Sequence, residues 1–510
     1  MTAMPQWAMS AMNLLTQGFI LALGLLALAA IAMFLADISQ TSDAIRRNYP
    51  LVGRFRGLFT NLGEFFRQYF FAMDREELPF NRAERNWVYQ ACEGHAGTVP
   101  FGSTKPLDKV GTAIFVNTPF PVLDDHAAAT RPMRIGPHAR QPYDAPSFFN
   151  ISGMSYGALS KPAVSALSRG AAKAGIWMNT GEGGLSDMHL EGGCDIVFQI
   201  GTAKYGVRDE DGRLSDERLR AVAAHEQVRM FELKLSQGAK PGKGGILPAE
   251  KVTADIARIR GIPAGQASIS PNRHPEFDDI DGLLDMIAHI RDVTGKPVGF
   301  KAVIGSYGWI EELCEAITRR GPQSAPDFFT IDSGDGGTGA APMALMDSVG
   351  LPIRESLPIA IEILGRYGLR GRMRIIASGK LLMPSAVAWA LASGADFVQC
   401  ARGFMFSLGC IQAMRCHKNT CPTGVTTHDR RLQRGLVVPQ KADRVAHYAN
   451  TIRHHVEMIA HSCGVAEPRL LRRKHVRIVQ ANGLSIPMTA MDFMPPSETA
   501  NEPLDLPVQP

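Results

Sequence analysis

The sequence predicts an α/β protein: a (β/α)8 TIM barrel preceded by an N-terminal transmembrane helix and a helical extension. From residue 148 onward, short apolar, β-branched or aromatic runs recur, each ending in Gly, Ser or a charged residue and followed by an Ala/Leu-rich stretch. Such alternation builds a parallel sheet, and eight repeats over roughly 255 residues fit a barrel whose usual size is about 250. A doubly wound open sheet is the alternative. Ahead of the repeats, residues 1–36 carry no charge, and residues 18–36 contain no polar side chain. About twenty such residues cross the hydrocarbon core of a bilayer.

That first segment lacks the positive n-region and short apolar core of a cleaved signal peptide. No Lys or Arg precedes it, whereas Arg46, Arg47, Arg54 and Arg56 follow it. The positive-inside rule then places the N-terminus outside and the catalytic domain in the cytoplasm, as a single-pass membrane protein. Residues 1–40 are the anchor and 41–145 a helical or irregular extension. Within the extension Phe55, Leu58, Phe59, Leu62, Phe65, Phe66, Tyr69 and Phe70 recur at helical spacing, interleaved with Arg54, Arg56 and Arg67. The stripe reads as core packing on the following domain, with an amphipathic membrane-surface helix as the other reading.

The expected strands are 149–153, 177–181, 196–201, 230–235, 298–304, 328–332, 374–378 and 397–401. A long insertion, 236–295, separates the fourth from the fifth. Helix 440–462 covers the domain, which spans 146–480, and 481–510 reads as a flexible tail, loose from about 485. The composition, 45% hydrophobic and 20% charged, is that of a globular chain. A net charge of +5 without a sustained basic stripe argues against nucleic-acid binding. Five of the eight cysteines are scattered singly, a usage that suits a reducing compartment, where a cysteine cluster tends to bind metal.

In such barrels the loops after the strands face the active site. The first strand ends in Ser152, Gly153, Met154 and Ser155; the second runs into Glu182; the third carries Gln199 and leads to Lys204. Lys234 at the end of the fourth, with Gln237, Lys240 and Lys243 after it, supplies cations and an amide for a dicarboxylate, and Lys301 lies on the fifth. Asp332, Gly336 and Gly337 follow the sixth, Gly379 and Lys380 the seventh, Arg402 and Gly403 the eighth. The last two loops occupy the place where barrels bind phosphate, so an FMN phosphate fits there. Lys301 would then place its ammonium beside the flavin N1–C2 carbonyl. Cys410, Cys416 and Cys421, with Pro422 after the last, follow directly. Their spacing suits an iron–sulfur centre; a zinc site completed by His417 or His428 is the alternative.

The stretches MSYGALS, NTGEGG, KLSQGAKPGKGG, DSGDGGTGAAP and CHKNTCPTGV occur in this order. Over about 146–480 the chain thereby resembles the FMN-binding domain of glutamate synthase. The resemblance implies a barrel binding FMN, with Cys410, Cys416 and Cys421 as ligands of a [3Fe–4S] cluster. It further implies reduction of 2-iminoglutarate, made from 2-oxoglutarate and ammonia, to L-glutamate. Lys301, Glu182 and Lys234 would be catalytic, and Gln199, Lys204, Gln237 and Lys240 would bind substrate. Electrons would come from ferredoxin, an NAD(P)H-oxidising subunit or a membrane redox partner. The family's large members open with a glutaminase domain; here a membrane anchor stands first, so free ammonia, another amine or a separate subunit is expected to supply nitrogen. Lys301 is followed by Ala302, Val303, Ile304, Gly305 and Ser306, where the family usually has a Leu-Val-Ser-Glu type of sequence. That departure keeps two alternatives open: an amine–oxoacid condensing enzyme of N-methylglutamate synthase type, and a membrane-tethered electron-transfer subunit.

Overall fold

The computed structural model describes residues 5–40, 43–94, 97–128 and 130–493. It divides into two compact units, residues 1–85 and 86–510.

In the second unit the strands β1 (Phe149–Ile151), β2 (Met178–Asn179), β3 (Ile196–Ile200) and β4 (Val228–Lys234) continue into β5 (Val298–Val303), β6 (Phe328–Asp332), β7 (Arg374–Ser378) and β8 (Phe397–Cys400). All neighbours pair in parallel and β8 closes onto β1, Val398 opposite Phe149, so the sheet is a closed eight-stranded barrel and the open-sheet alternative falls. Each strand lies within or beside its expected range. The reason is that these runs are buried on both faces, the pattern of a parallel sheet covered by helices. Local signals set the first crossover: Ser160 accepts from the Ala163 N–H, Pro162 follows in the first turn, and Gly175 ends helix Lys161–Ala174 in the left-handed conformation.

The barrel interior is layered. At the N-terminal ends of the strands Trp177, Val197, Met230, Phe328, Ile376 and Phe397 form an apolar layer. The antiparallel hairpin of Met133–Ile135 and Tyr143–Ala145 presses Ile135, Tyr143 and Ala145 against it. Burying each large side chain contributes roughly 2–3 kcal/mol. One layer up, the fully buried Glu232 accepts hydrogen bonds from Asn179 Nδ2 (2.8 Å), Gln199 Nε2 (2.6 Å) and Thr330 Oγ1 (2.6 Å).

The insertion after β4 contains a hairpin (Ile246–Leu247 with Ser268–Ile269) and helix Ala254–Arg260, before helix Ile280–Thr294 returns the chain to the barrel. The long helix Val438–Ser462 packs on helix Lys161–Ala174. Strand Ala113–Phe115 pairs with Val476–Val479, which pairs with Ser485–Pro487. The chain expected to be loose from about 485 is therefore ordered through Ala490, because Ile486 pairs with Ile478 and Met488 is buried. The remainder of that tail, from 494, lies outside the described residues.

In the first unit, helix Gln6–Ser39 is long and apolar enough to cross a membrane, and its only buried residue is Asp37. Helices Ala44–Asn48 and Val52–Phe66 follow, and the latter continues as a π-helical turn, Arg67–Phe71. Within this unit Phe55, Leu58, Phe59, Leu62, Phe66, Tyr69 and Phe70 of the apolar stripe are exposed, and the Phe65 side chain lies outside the described residues.

Candidate active site

The site lies at the C-terminal ends of the barrel strands, where strand pairing brings its cations together. Lys301 on β5 sits opposite Lys234 on β4, and both ammonium groups are nearly buried. Two like charges at that depth need partners. Lys301 Nζ is 3.2 Å from Asp332 Oδ2 at the end of β6, an oxygen that also accepts the Gly238 N–H at 2.9 Å. Lys234 Nζ is 3.0 Å from Glu182 Oε1 and also donates to Gln237 Oε1.

Glu182 is wedged between two glycines. A Cβ on Gly201 would come within 2.6 Å of Glu182 Cβ, and one on Gly245 within 2.6 Å of Oε1, so only bare backbone fits on either side. Burial works to raise the Glu182 carboxyl, but the charges of Lys234, Lys240 and Arg260 outweigh it and hold it at about 2. Lys240, also buried, is brought down to about 8 by desolvation and then by the Lys234 charge, with Glu182 acting the other way. The cavity therefore holds an ionised carboxylate and a lysine poised near neutrality.

One cavity runs from here to the cysteine loop. Gly153, Met154, Ser155, Glu182, Gln199, Lys234, Gln237, Lys240, Gly337 and Arg402 line it together with Cys410, Cys416 and Cys421. A smaller, contiguous hollow is lined by Ser152, Lys301, Asp332, Gly379 and Lys380, sharing Gly153, Gln199, Lys234, Gln237, Gly337 and Arg402 with the first. Three expected residues line neither. Lys204 turns its ammonium to Glu276 of the insertion, at 2.5 Å, and to the Thr202 carbonyl. Gly336 packs on Gly238, and Gly403 is pressed against Tyr448. Lys380, in a left-handed conformation, pairs with Asp335 Oδ2 at 2.8 Å.

The cysteine loop is strained and pinned. Gln412 and Met414 adopt left-handed backbone conformations that cost such residues roughly 1–2 kcal/mol each, and Asn419 adopts one that asparagine tolerates more readily. Tyr89 donates to the Cys410 carbonyl (2.7 Å), Lys251 Nζ to those of Cys416 (3.2 Å) and Ala158 (2.7 Å), and Asn419 Nδ2 to that of Glu250 (3.2 Å). The Gln412 N–H points at Cys410 Sγ, 3.4 Å away. Burial pushes the Cys410 thiol up to about 12; for Cys421 burial acts upward too, but hydrogen bonds from Thr423 and Thr426 prevail and lower it. Among the described residues no three His, Cys, Asp or Glu side chains converge as the ligands of one ion would. His428 directs Nε2 at the Gly157 carbonyl, 2.9 Å away.

Two further charged residues of the insertion, Lys251 and Arg260, line the cavity, though no local pattern singles them out. Arg260 is buried, its Cζ 5.0 Å from the centre of the Tyr205 ring; its hydrogen bonds to Ser268 Oγ and the Tyr156 carbonyl are both long at 3.4 Å, and its Nε has no partner among the described residues. Lys251 bridges the barrel and the cysteine loop. Both stand in a segment that reads as a spacer, and only the folding of the hairpin over Glu182 brings them in.

A family model described as the conserved region in glutamate synthase matches residues 124–466. The chain belongs to the glutamate synthase family. It is 40% identical over 482 residues to the glutamate synthase large subunit-like protein YerD of Bacillus subtilis, covering 87% of this chain and 91% of that one. It is 33% identical to the archaeal-type glutamate synthase [NADPH] of Thermotoga maritima and 34% to the archaeal glutamate synthase [NADPH] of Methanocaldococcus jannaschii, covering 63% and 64% of this chain. Those matches span 60% and 61% of the relatives' own lengths. In backbone there is a loose likeness to the flavin-binding domain of baker's yeast flavocytochrome b2, with a TM-score of 0.45 at 13% identity over 81% of this chain and 86% of that one. The protein is thus an enzyme, an oxidoreductase of glutamate synthase type built on a closed (β/α)8 barrel.

Proposed function

We propose that this glutamate synthase-family enzyme binds FMN at the barrel mouth and a [3Fe–4S] cluster at Cys410, Cys416 and Cys421, and reduces the imine of 2-oxoglutarate and ammonia to L-glutamate. The observation that carries the reading is the shared cavity, which joins the lysine-rich mouth to all three cysteines.

The residues fit both groups. Gly379 has φ +106°, and a Cβ there would lie 2.4 Å from Ser333 Cβ. The loops after β6 and β7 thus meet closely and leave a narrow cradle beside Arg402, which packs on Gly337 and whose hydrogen bond to the Thr338 carbonyl is long at 3.4 Å. That leaves guanidinium donors for the flavin phosphate, flanked by Ser152, Gly153, Met154 and Ser155. Lys301, held by Asp332, would offer its ammonium to the flavin ring. All three thiols line the same cavity, as suits a cluster in which each sulfur binds a different iron. When bound, FMN supplies hydride and the cluster relays electrons singly from an external donor such as ferredoxin, an NAD(P)H-oxidising subunit or a membrane redox partner.

The chain's own residues handle the substrate. Lys234, Lys240 and Arg260 offer three cations to two carboxylates, with Gln237 and Gln199 as amides at the edge. Glu182 stays ionised and orients Lys234. As the C=N bond takes up a hydride at carbon, its nitrogen needs a proton, and Lys240 Nζ, near neutrality at about 8, is the group able to release one. The Gly245 backbone closes over Glu182 and keeps water from the imine. Helix Gln6–Ser39 anchors the enzyme as a single pass, with the barrel on the cytoplasmic side where Arg46, Arg47, Arg54 and Arg56 lie.

The full-length protein, purified in detergent, should carry flavin absorbance and iron. With a reduced ferredoxin it should form glutamate from 2-oxoglutarate and ammonia. Absence of both cofactors would sink the reading; turnover with methylamine but not ammonia would move the enzyme to the N-methylglutamate type.

A further inference from the structure

The elbow that follows the membrane-spanning helix is built from buried charge. Asp37, fully buried two residues before the helix ends, accepts hydrogen bonds from Arg46 Nε (3.0 Å) and Nη2 (2.7 Å), from Arg54 Nε (2.8 Å) and from the Leu51 N–H (3.1 Å). Gln40 closes the turn, its Nε2 donating to the Asp37 and Asp43 carbonyls while its Oε1 accepts the Asp43 N–H. Asp43 in turn caps helix Ala44–Asn48 by accepting from Ile45 and Arg46. A Cβ on Gly53 would lie 2.9 Å from Arg46 Cα, so the two short helices touch at a position only glycine fits. Truncating one partner of such a buried charge cluster is strongly destabilising, which makes the turn a fixed angle and not a loose tether.

What this elbow holds is helix Val52–Phe66 with its continuation Arg67–Phe71. Phe55, Leu58, Phe59, Leu62, Phe66, Tyr69 and Phe70 recur at three- and four-residue steps, and each is between 38% and 73% exposed. A water-facing surface seldom carries so long an apolar stripe. Three arginines, at 54, 56 and 67, border it, and aromatic side chains flanked by basic ones suit the level of lipid headgroups. The stripe begins within about twenty residues of the end of a helix able to span the bilayer, and the elbow fixes its start beside that end.

We propose that Val52–Phe66 and Arg67–Phe71 lie in the plane of the bilayer interface as a second, monotopic anchor whose apolar face occupies the headgroup–acyl boundary of an anionic leaflet. The inference rests on the reading of Gln6–Ser39 as a membrane span. It gives the membrane a second role: the anchored chain leaves the bilayer along its surface, not perpendicular to it. The occupant of the apolar face is lipid because the face continues from the span itself and the segment's three arginines outnumber its one acidic residue, Glu64, a net positive charge complementary to anionic headgroups.

The test uses the full-length protein in nanodiscs of phosphatidylglycerol and phosphatidylcholine, with Phe59→Trp and, separately, Phe70→Trp. The added emission, taken as the difference from the unsubstituted protein, should be blue-shifted and should fall severalfold when brominated lipids replace ordinary ones. Added emission that is red-shifted, or blue-shifted yet unquenched because a second copy or another protein covers the face, overturns the proposal. Alkaline carbonate extraction of native membranes separates the two failures. A chain that resists extraction but shows unquenched emission loses only the second anchor, whereas an extractable chain loses the span as well.

Discussion

Lys240 is buried in the cavity, and burial together with the Lys234 charge brings its ammonium down to about 8. Below that pH it is positive and can hold a carboxylate; as the pH rises through 8 it loses the charge and the contact. KM for 2-oxoglutarate should therefore be flat near pH 7 and climb towards pH 9, by about tenfold if the charged contact is worth about 1.4 kcal/mol. Lys240→Met should show the high KM throughout, no such climb, and a reduced kcat through loss of the proton donor, in steady-state kinetics across pH. Single residues of this kind divide sharply by legibility. Lys234, Gln237 and Lys240 stand in one glycine-rich run and could be picked out from it. Arg260 and Glu232 could not: one is an arginine in a spacer, the other an acidic residue inside an apolar strand, and each acquires its place from partners far along the chain. Lys204 errs the other way, since it follows a strand as a site residue should, yet the insertion supplies Glu276 to take its charge.

At the scale of elements, the hairpin of Met133–Ile135 and Tyr143–Ala145 closes the end of the barrel opposite the site. Tyr143 stacks edge-on to Trp177, with ring centres 6.3 Å apart, and donates its hydroxyl to Asp195 Oδ2 at 3.0 Å. Tyr143→Ala should lower the unfolding free energy by about 3 kcal/mol through loss of buried surface and the cavity left behind. Tyr143→Phe should cost only about 1 kcal/mol, because Asp195 keeps Arg229. Denaturant titration checks both, and neither variant should alter KM, since the change lies at the far end of the strands. This plug was invisible in the sequence because strands of three residues carry too little periodicity to separate from loop. The barrel strands were readable because burial on both faces leaves near-continuous apolar runs.

Across the whole molecule, the cysteine loop and the barrel mouth are coupled through the insertion: Lys251 and Glu250 hold the loop, while Gly245 and Arg260 close on Glu182. Cys421→Ser should accordingly remove iron while the barrel stays folded and flavin remains bound. The variant should lose ferredoxin-driven turnover but still be reduced at the flavin by dithionite, as absorbance and iron assay would report. What the sequence alone determined is whatever is written in local pattern: an apolar span, eight doubly buried strands, glycine-rich loops after them, and three thiols at fixed spacing. Only the tertiary structure decided which cations share the cavity, which lysine is diverted to an ion pair, and that the aromatic stripe after the span is exposed. Those outcomes depend on how segments distant in sequence neutralise one another's charge and cover one another's surface, and local pattern carries no information about such partners.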